Sequence, residues 1–126
     1  MKTNELLKPL NLNEFISFDL ETTGLNEKTD QIIEISAYRF VNGEPVDEFN
    51  SLINPEMSIP AFITDLTSIS NEMVEDAPKI QNVLPKLLKF LGKTPIVGHN
   101  VNFDLTFIDE NFKRHGIIFN YPNAIY

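Results

Sequence analysis

Asn42-Gly43 stands between two runs rich in aliphatic and aromatic residues, Gln31 to Val41 and Pro45 to about Ile53. An Asn-Gly step in that setting is the strongest short-range signal for a tight β-hairpin, because both residues tolerate the positive φ of a type I′ turn. The hairpin commits the first half of the chain to sheet. Pro45 has no amide proton to give, which predicts an edge position for the second strand. A further strand is expected upstream, over Glu14 to Leu20, where aromatic and β-branched residues dominate again. Asn54-Pro55 is expected to turn the chain out of the hairpin.

The second half changes period. Ile80, Val83, Leu84, Leu87, Leu88 and Leu91 recur at three- and four-residue steps and form one apolar stripe. Pro85 is expected in the first turn of that helix, which places its regular start near Asn82 and its end at Gly92. Lys79, Lys86, Lys89 and Lys93 lie opposite the stripe, as a solvated face or as a patch for nucleic acid. Short helical turns are expected near 62–66 and 71–75, a short strand over Pro95 to His99, and a final helix over 101–115 closed by Gly116. Residues 1–13 read as a loose lead-in, and Ile117–Phe119 with Ala124–Tyr126 as the approach to one more strand. A hairpin followed by strand–helix alternation predicts an α/β domain, a mixed sheet with helices packed on it.

A length of 126 residues predicts one domain over 1–126, and 42% hydrophobic with 22% charged residues supplies a core. The absence of cysteine excludes disulfides, thiolate metal sites and cysteine nucleophiles. No apolar run reaches the ~20 residues of a membrane span, and Met1 to Leu10 lacks a signal-peptide core. A soluble, cytoplasmic protein with no membrane partner is expected. The net charge of 10 − 18 = −8 argues against broad wrapping of duplex nucleic acid. It leaves open a narrow site that holds nucleic acid through bound cations, which reverse the local charge.

Carboxylates stand where a core is expected. Along the first strand Ile16, Phe18 and Leu20 point one way, and Phe15, Ser17, Asp19 and Glu21 the other. Asp19 and Glu21 therefore share a face, about 6.6 Å apart, at the strand's C-terminal end. On the last helix Asp104 falls inside the arc formed by Phe103, Leu105, Phe107, Ile108 and Phe112, whereas Asp109, Glu110 and Lys113 fall on the solvent side. A core-facing carboxylate is costly without a partner or a cation. Asn111 and His115 fall in the same arc, as they would if the helix emerged from the core there. Taken singly, Asp19 also reads as a strand-end carboxylate in solvent or capping a turn, and Asp104 as a capping or salt-bridged residue. Together they offer oxygen ligands from two elements, which suit hard divalent cations. Two such ions about 3.5–4 Å apart can activate water and stabilise a leaving oxygen in phosphodiester cleavage.

Three segments resemble a known family. Phe18-Asp19-Leu20-Glu21-Thr22-Thr23-Gly24-Leu25 resembles the first motif of the DEDD superfamily of 3′–5′ exonucleases, DEDDh type, which includes the epsilon proofreading subunit of bacterial DNA polymerase III. Gly98-His99-Asn100-Val101-Asn102-Phe103-Asp104 resembles the second motif. Leu66 to Val74 with Ala77-Pro78 resembles the middle segment, usually worded T-G-I-T, with Ser68 in place of the glycine. The resemblance implies a ribonuclease H-like mixed sheet, an antiparallel hairpin plus parallel strands, flanked by helices. It implies hydrolysis of single-stranded DNA or RNA 3′ ends to nucleoside 5′-monophosphates with two divalent ions, Mg²⁺ or Mn²⁺, and a DNA polymerase as partner.

By the same resemblance Asp19 would bridge both ions, Glu21 would hold the ion carrying the nucleophilic water, and Asp104 would serve the leaving-group side. Thr22, Thr23, Gly24 and Leu25 would contact the terminal nucleotide, with Leu25 wedged beside the last base. Ile69, His99 and Phe103 would line the cleft. For His99 a satisfied polar role at a strand end stays open, and for Leu25, Ile69 and Phe103 ordinary packing.

A third motif, His-x4-Asp, is expected beyond the second. The only histidines are His99 and His115, and no aspartate follows His115. The expectation is therefore a C-terminally truncated domain, weakly active or inactive alone, because loss of a general base costs about 10²–10⁴ in rate. Apolar surface bared by the truncation would favour self-association. The rival reading is a catalytically dead module that binds nucleic acid or protein on the same scaffold.

Overall fold

Strands β1 (Glu14–Thr22), β2 (Ile32–Val41) and β3 (Glu44–Leu52) pair antiparallel in sequence, and Asn42 and Gly43 close the β2–β3 hairpin with φ of 51° and 83°. These are the left-handed conformations that the Asn-Gly step predicts. Strands β4 (Ile96–Val97) and β5 (Ala124–Ile125) extend the sheet in parallel, giving the order β3-β2-β1-β4-β5. Between β3 and β4 lie helices α1 (Ala61–Thr67), α2 (Asn71–Val74) and α3 (Ile80–Leu91), and α4 (Val101–Arg114) follows β4. The expected α/β mixed sheet, antiparallel hairpin plus parallel strands with flanking helices, is what the chain adopts. The computed structural model describes residues 13–120, Ala124 and Ile125; the expectations for residues 1–12 and Tyr126 lie outside them. Among the described residues no helix is long and apolar enough to cross a membrane.

The main core forms where sheet alternation meets the helix stripes. Ile16, Phe18 and Leu20 of β1 pack with Ile35 and Ala37 of β2, with Val83, Leu84, Leu87 and Leu91 of α3, and with Phe107, Ile108 and Phe112 of α4. Full burial of each large side chain contributes about 1.5–3 kcal/mol. A second cluster joins Ile33 to Ile59, Ile63, Ile69 and Val74. It depends on a slip in register: Glu21 pairs with Glu34 but Thr22 with Ile32, so Ile33 is the extra residue of a bulge. Strict alternation would place Ile33 on the face of Ile35 and Ala37; past the bulge it is Ile32 that joins them in the main core, and Ile33 enters the second cluster.

Some boundaries differ from expectation. Helix α3 starts at Ile80 rather than near Asn82, so Pro85 lies inside the helix and not in its first turn. Pro85 and Gln81, the residue whose carbonyl the proline cannot bond, are both exposed. Burial of the stripe outweighs the proline's cost of about 3 kcal/mol. Strand β1 runs on to Thr22, two residues past its expected end. Strand β4 has two residues instead of five because the chain turns at Gly98 and reaches α4 through Asn100 at φ 57°.

Ser68 ends α1 in the left-handed conformation, at φ 64°, and its N–H donates to the Thr64 carbonyl. This is the position where the T-G-I-T wording carries glycine, the residue that adopts φ > 0 without a Cβ penalty. Ser68→Gly is expected to raise stability by about 1 kcal/mol, seen as a higher urea midpoint at unchanged m. No rise in the midpoint would show that the serine relieves the strain in another way.

Candidate active site

The C-terminal half of β1 carries Asp19 and Glu21 on the face away from the main core, Asp19 exposed and Glu21 half-buried. Asp104 comes from the first turn of α4 and is only 3% exposed. What holds it there is the shortness of β4. The Ile16 N–H, on the β4 side of β1, donates to the Pro95 carbonyl at 2.8 Å, and β4 pairing ends at Ser17–Val97. The Leu20 N–H on that side lies past the end of β4, and the Asp104 carboxylate accepts it. The other oxygen, Asp104 Oδ2, is buried with no hydrogen-bond partner.

Burial pushes the Asp104 carboxyl up to about 7, the negative charges of Asp19 and then Glu21 add to the rise, and the Leu20 hydrogen bond opposes it. Glu21 is raised by burial and then by the charges of Asp19 and Glu34. The carboxylates are close enough to repel one another. Among the described residues no three His, Cys, Asp or Glu side chains form a cage that could already hold a metal ion. The donor chemistry nevertheless fits a hard divalent cation: carboxylates that repel one another, and a buried oxygen without a partner.

Gly98 makes the crossing possible. A Cβ at this position would sit 2.8 Å from the Phe18 carbonyl oxygen, an atom of the central strand that has no room to move. Gly98→Ala is expected to lower stability by roughly 1–3 kcal/mol, the range for overpacking. The clash would push the start of α4, and with it Asp104, off β1. An unchanged urea midpoint would sink this account.

Two depressions open beside the carboxylates. One, of about 500 Å³, is lined by Ser17, Asp19, Ser36, Tyr38, Gly98 and His99. The other is an apolar groove of about 450 Å³. Glu21, Thr22, Gly24 and Leu25 line it from the β1 side, Phe62, Ile63, Leu66 and Thr67 from α1, and Leu20 and Phe103 also reach it. Of the expected substrate residues, Thr22, Gly24, Leu25 and Phe103 thus share the groove with Glu21, and His99 shares the first depression with Asp19.

Thr23 and Ile69 lie elsewhere. Thr23 is 2% exposed; its hydroxyl accepts from the Gln31 N–H at 2.9 Å and donates to Asp30 at 3.2 Å. It ties the loop after β1 together. Ile69 is 3% exposed and packs in the second cluster. Asp30, not singled out from the sequence, also accepts the Asn26 N–H, and a Cβ on Gly24 would collide with its carboxylate. The same loop is clasped to α4, where Arg114 donates to the Glu27 carbonyl at 3.1 Å and Lys28 pairs with Glu110 at 2.9 Å. Sequence reasoning also missed Phe62 and Leu66. Their signal was an apolar pair four residues apart on a short helix, with its other face buried through Ile63.

Residues 16–124 match the family model RNase T, described as Exonuclease. The chain belongs to this exonuclease family. Relatives of this exonuclease-family chain include the DNA polymerase III PolC-type proteins of Caldanaerobacter subterraneus subsp. tengcongensis, 48% identical over 104 residues, and of Clostridium perfringens, 45% identical over 104 residues. Each match covers 82% of this chain and 7% of the relative, so the chain spans about one-fourteenth of the length of these proteins. Among solved structures, Exonuclease I in complex with a dT13 oligonucleotide aligns with TM-score 0.77 at 17% identity, over 90% of this chain and 27% of that one, a likeness of fold. Exonuclease X in complex with 5′ overhanging duplex DNA aligns with TM-score 0.65 at 25% identity, over 88% and 57% of the two chains. The DEDD-type 3′–5′ exonuclease resemblance of the three motifs agrees with all of these.

Proposed function

We propose that this chain is the 3′–5′ exonuclease domain of a PolC-type DNA polymerase and removes nucleoside 5′-monophosphates from single-stranded DNA 3′ ends. The observation that carries the reading is Asp104, a buried carboxylate with one unpartnered oxygen, whose pKa is raised by burial and then by the charges of Asp19 and Glu21. Asp19, Glu21 and Asp104 are the residues that would hold Mg²⁺ or Mn²⁺, with Asp19 shared between two ions. Such ions, when bound, activate water and stabilise the leaving oxygen.

The chain's own residues do the positioning. Leu25 and Phe103 border the groove next to Glu21, where a terminal base would lie. The Thr22 hydroxyl donates to the Gly24 carbonyl at 2.6 Å and stiffens the turn that presents Leu25. His99, beside Asp19, can donate a hydrogen bond to a phosphate oxygen. Beyond the second motif, residues 105–126 hold no further His-x4-Asp pair, so this chain tested by itself is expected to cleave about 10²–10⁴-fold more slowly than a whole PolC-type relative. The partner proposed is the polymerase. Self-association has one feature in its favour, the 90% exposed Ile118.

The test is digestion of a 5′-labelled single-stranded oligonucleotide with Mn²⁺, by the wild type and by Asp19→Ala. The expected result is a faint ladder shortened from the 3′ end that vanishes in the variant. A ladder of equal strength in both would refute the reading. A second reading, a binding module without catalysis, is favoured by the exposed apolar residues Leu25, Phe62 and Leu66 around the groove. It predicts no ladder in either sample but retained oligonucleotide binding.

A further inference from the structure

Phe62 is 66% exposed and Leu66 78% exposed, one turn apart on α1, while Ile63 between them is buried and anchors the helix. An exposed aromatic side chain gains nothing from the core, and several large apolar groups together on a surface mark a binding site. Leu25, 83% exposed, lines the same groove from the β1 side, and Glu21 of the carboxylate site borders it. No lysine or arginine is among the groove's described lining residues. With the chain at net charge −8, general attraction for a phosphate backbone is missing too. A strand entering here has to be held by its bases, which present a π-face whatever their identity.

We infer that Phe62 is a stacking platform for one unpaired nucleobase of the strand led to the carboxylates, and so a residue that selects single-stranded over paired ends. A base inside a duplex is stacked on both faces, and the outermost one is still held to its pairing partner, so a paired end has to fray before an unpaired base can lie on Phe62. The inference rests on the exonuclease reading and adds a residue that none of the three motif roles assigns.

The test is binding of 5′-fluorescein oligothymidylate, followed by anisotropy with Ca²⁺ as the divalent ion, for the wild type, Phe62→Ala and Phe62→Trp. A set of oligonucleotides with a single abasic site at each of the last positions completes it. Phe62→Ala is expected to weaken binding roughly 5- to 100-fold, and Phe62→Trp to restore it. One abasic position should weaken the wild type by a similar factor and have no further effect on Phe62→Ala, because both changes remove the same contact. The side chain is exposed, so the thermal midpoint of both variants should match the wild type. Phe62→Ala binding within twofold of the wild type would overturn the inference, give the patch to a protein surface instead, and leave the exonuclease reading standing. Failure of the wild type to bind any oligonucleotide would overturn both.

Discussion

Asp104→Asn is expected to abolish 3′-end trimming and, in the absence of divalent ions, to make the protein more stable near pH 8. The loss of activity should be on the order of 10²–10⁴-fold, as for removal of one positioned catalytic group. The gain in stability follows from the raised pKa. A carboxyl whose pKa moves from 3.8 to about 7 on folding binds its proton more tightly folded than unfolded. Folded-state stability therefore falls as pH rises from about 4, and the fall is complete above about 7. At 1.36 kcal/mol per pH unit the span sets an upper bound of about 4 kcal/mol. Asparagine keeps the acceptor for the Leu20 N–H and has no charge to desolvate, so the variant should match the wild type near pH 4 and exceed it at pH 8. Urea unfolding at the two pH values in EDTA measures this. Adding Mn²⁺ should close the gap, because an ion bound only by the folded wild type stabilises it by mass action. A variant no more stable than the wild type at pH 8 would mean that the buried carboxylate is already compensated without an ion.

The second large effect is on stability alone. Arg39 of β2 donates to Glu14 Oε2 at 2.6 Å, to Thr94 Oγ1 at 2.7 Å and to the Phe90 carbonyl, and its guanidinium lies 5.1 Å from the Phe90 ring centroid. One side chain thereby joins the start of β1, the last turn of α3 and the loop into β4. Arg39→Ala is expected to cost about 2–4 kcal/mol, through lost charge-assisted hydrogen bonds and lost packing of the stem. Arg39→Lys should recover only part, because an ammonium cannot reproduce the planar fork. Denaturant midpoints at constant m measure both. A loss below about 0.5 kcal/mol for Arg39→Ala would reduce the network to an ordinary surface ion pair.

The features legible in the sequence were the ones with a local cause. The Asn42-Gly43 turn needs only two residues with φ > 0, and both are there. Strand alternation put Asp19 and Glu21 on one face, and helical period put Asp104 among Phe107, Ile108 and Phe112, where it is buried. The stripe of α3 was legible for the same reason. Its start was not, because whether burial of the stripe outweighs the cost of Pro85 depends on what the helix packs against. Thr23 and Ile69 were assigned to the ligand by their place in motifs. Their burial follows from the Asp30-centred loop and from the second core cluster, neither of which has a periodic signature.

The sequence by itself determined the secondary elements, the α/β class and the carboxylates that stand on the wrong side of an amphipathic pattern. Turn chemistry and side-chain period act over a few residues, and the local order of the residues is enough to express them. Only the tertiary structure decided that Asp104 meets the end of β1, that the bulge opposite Glu21–Thr22 turns Ile32 rather than Ile33 into the main core, and that Leu25 and Phe62 share one groove. Those outcomes depend on register and on the close crossing of Gly98 over Phe18, which are contacts between residues far apart in the chain.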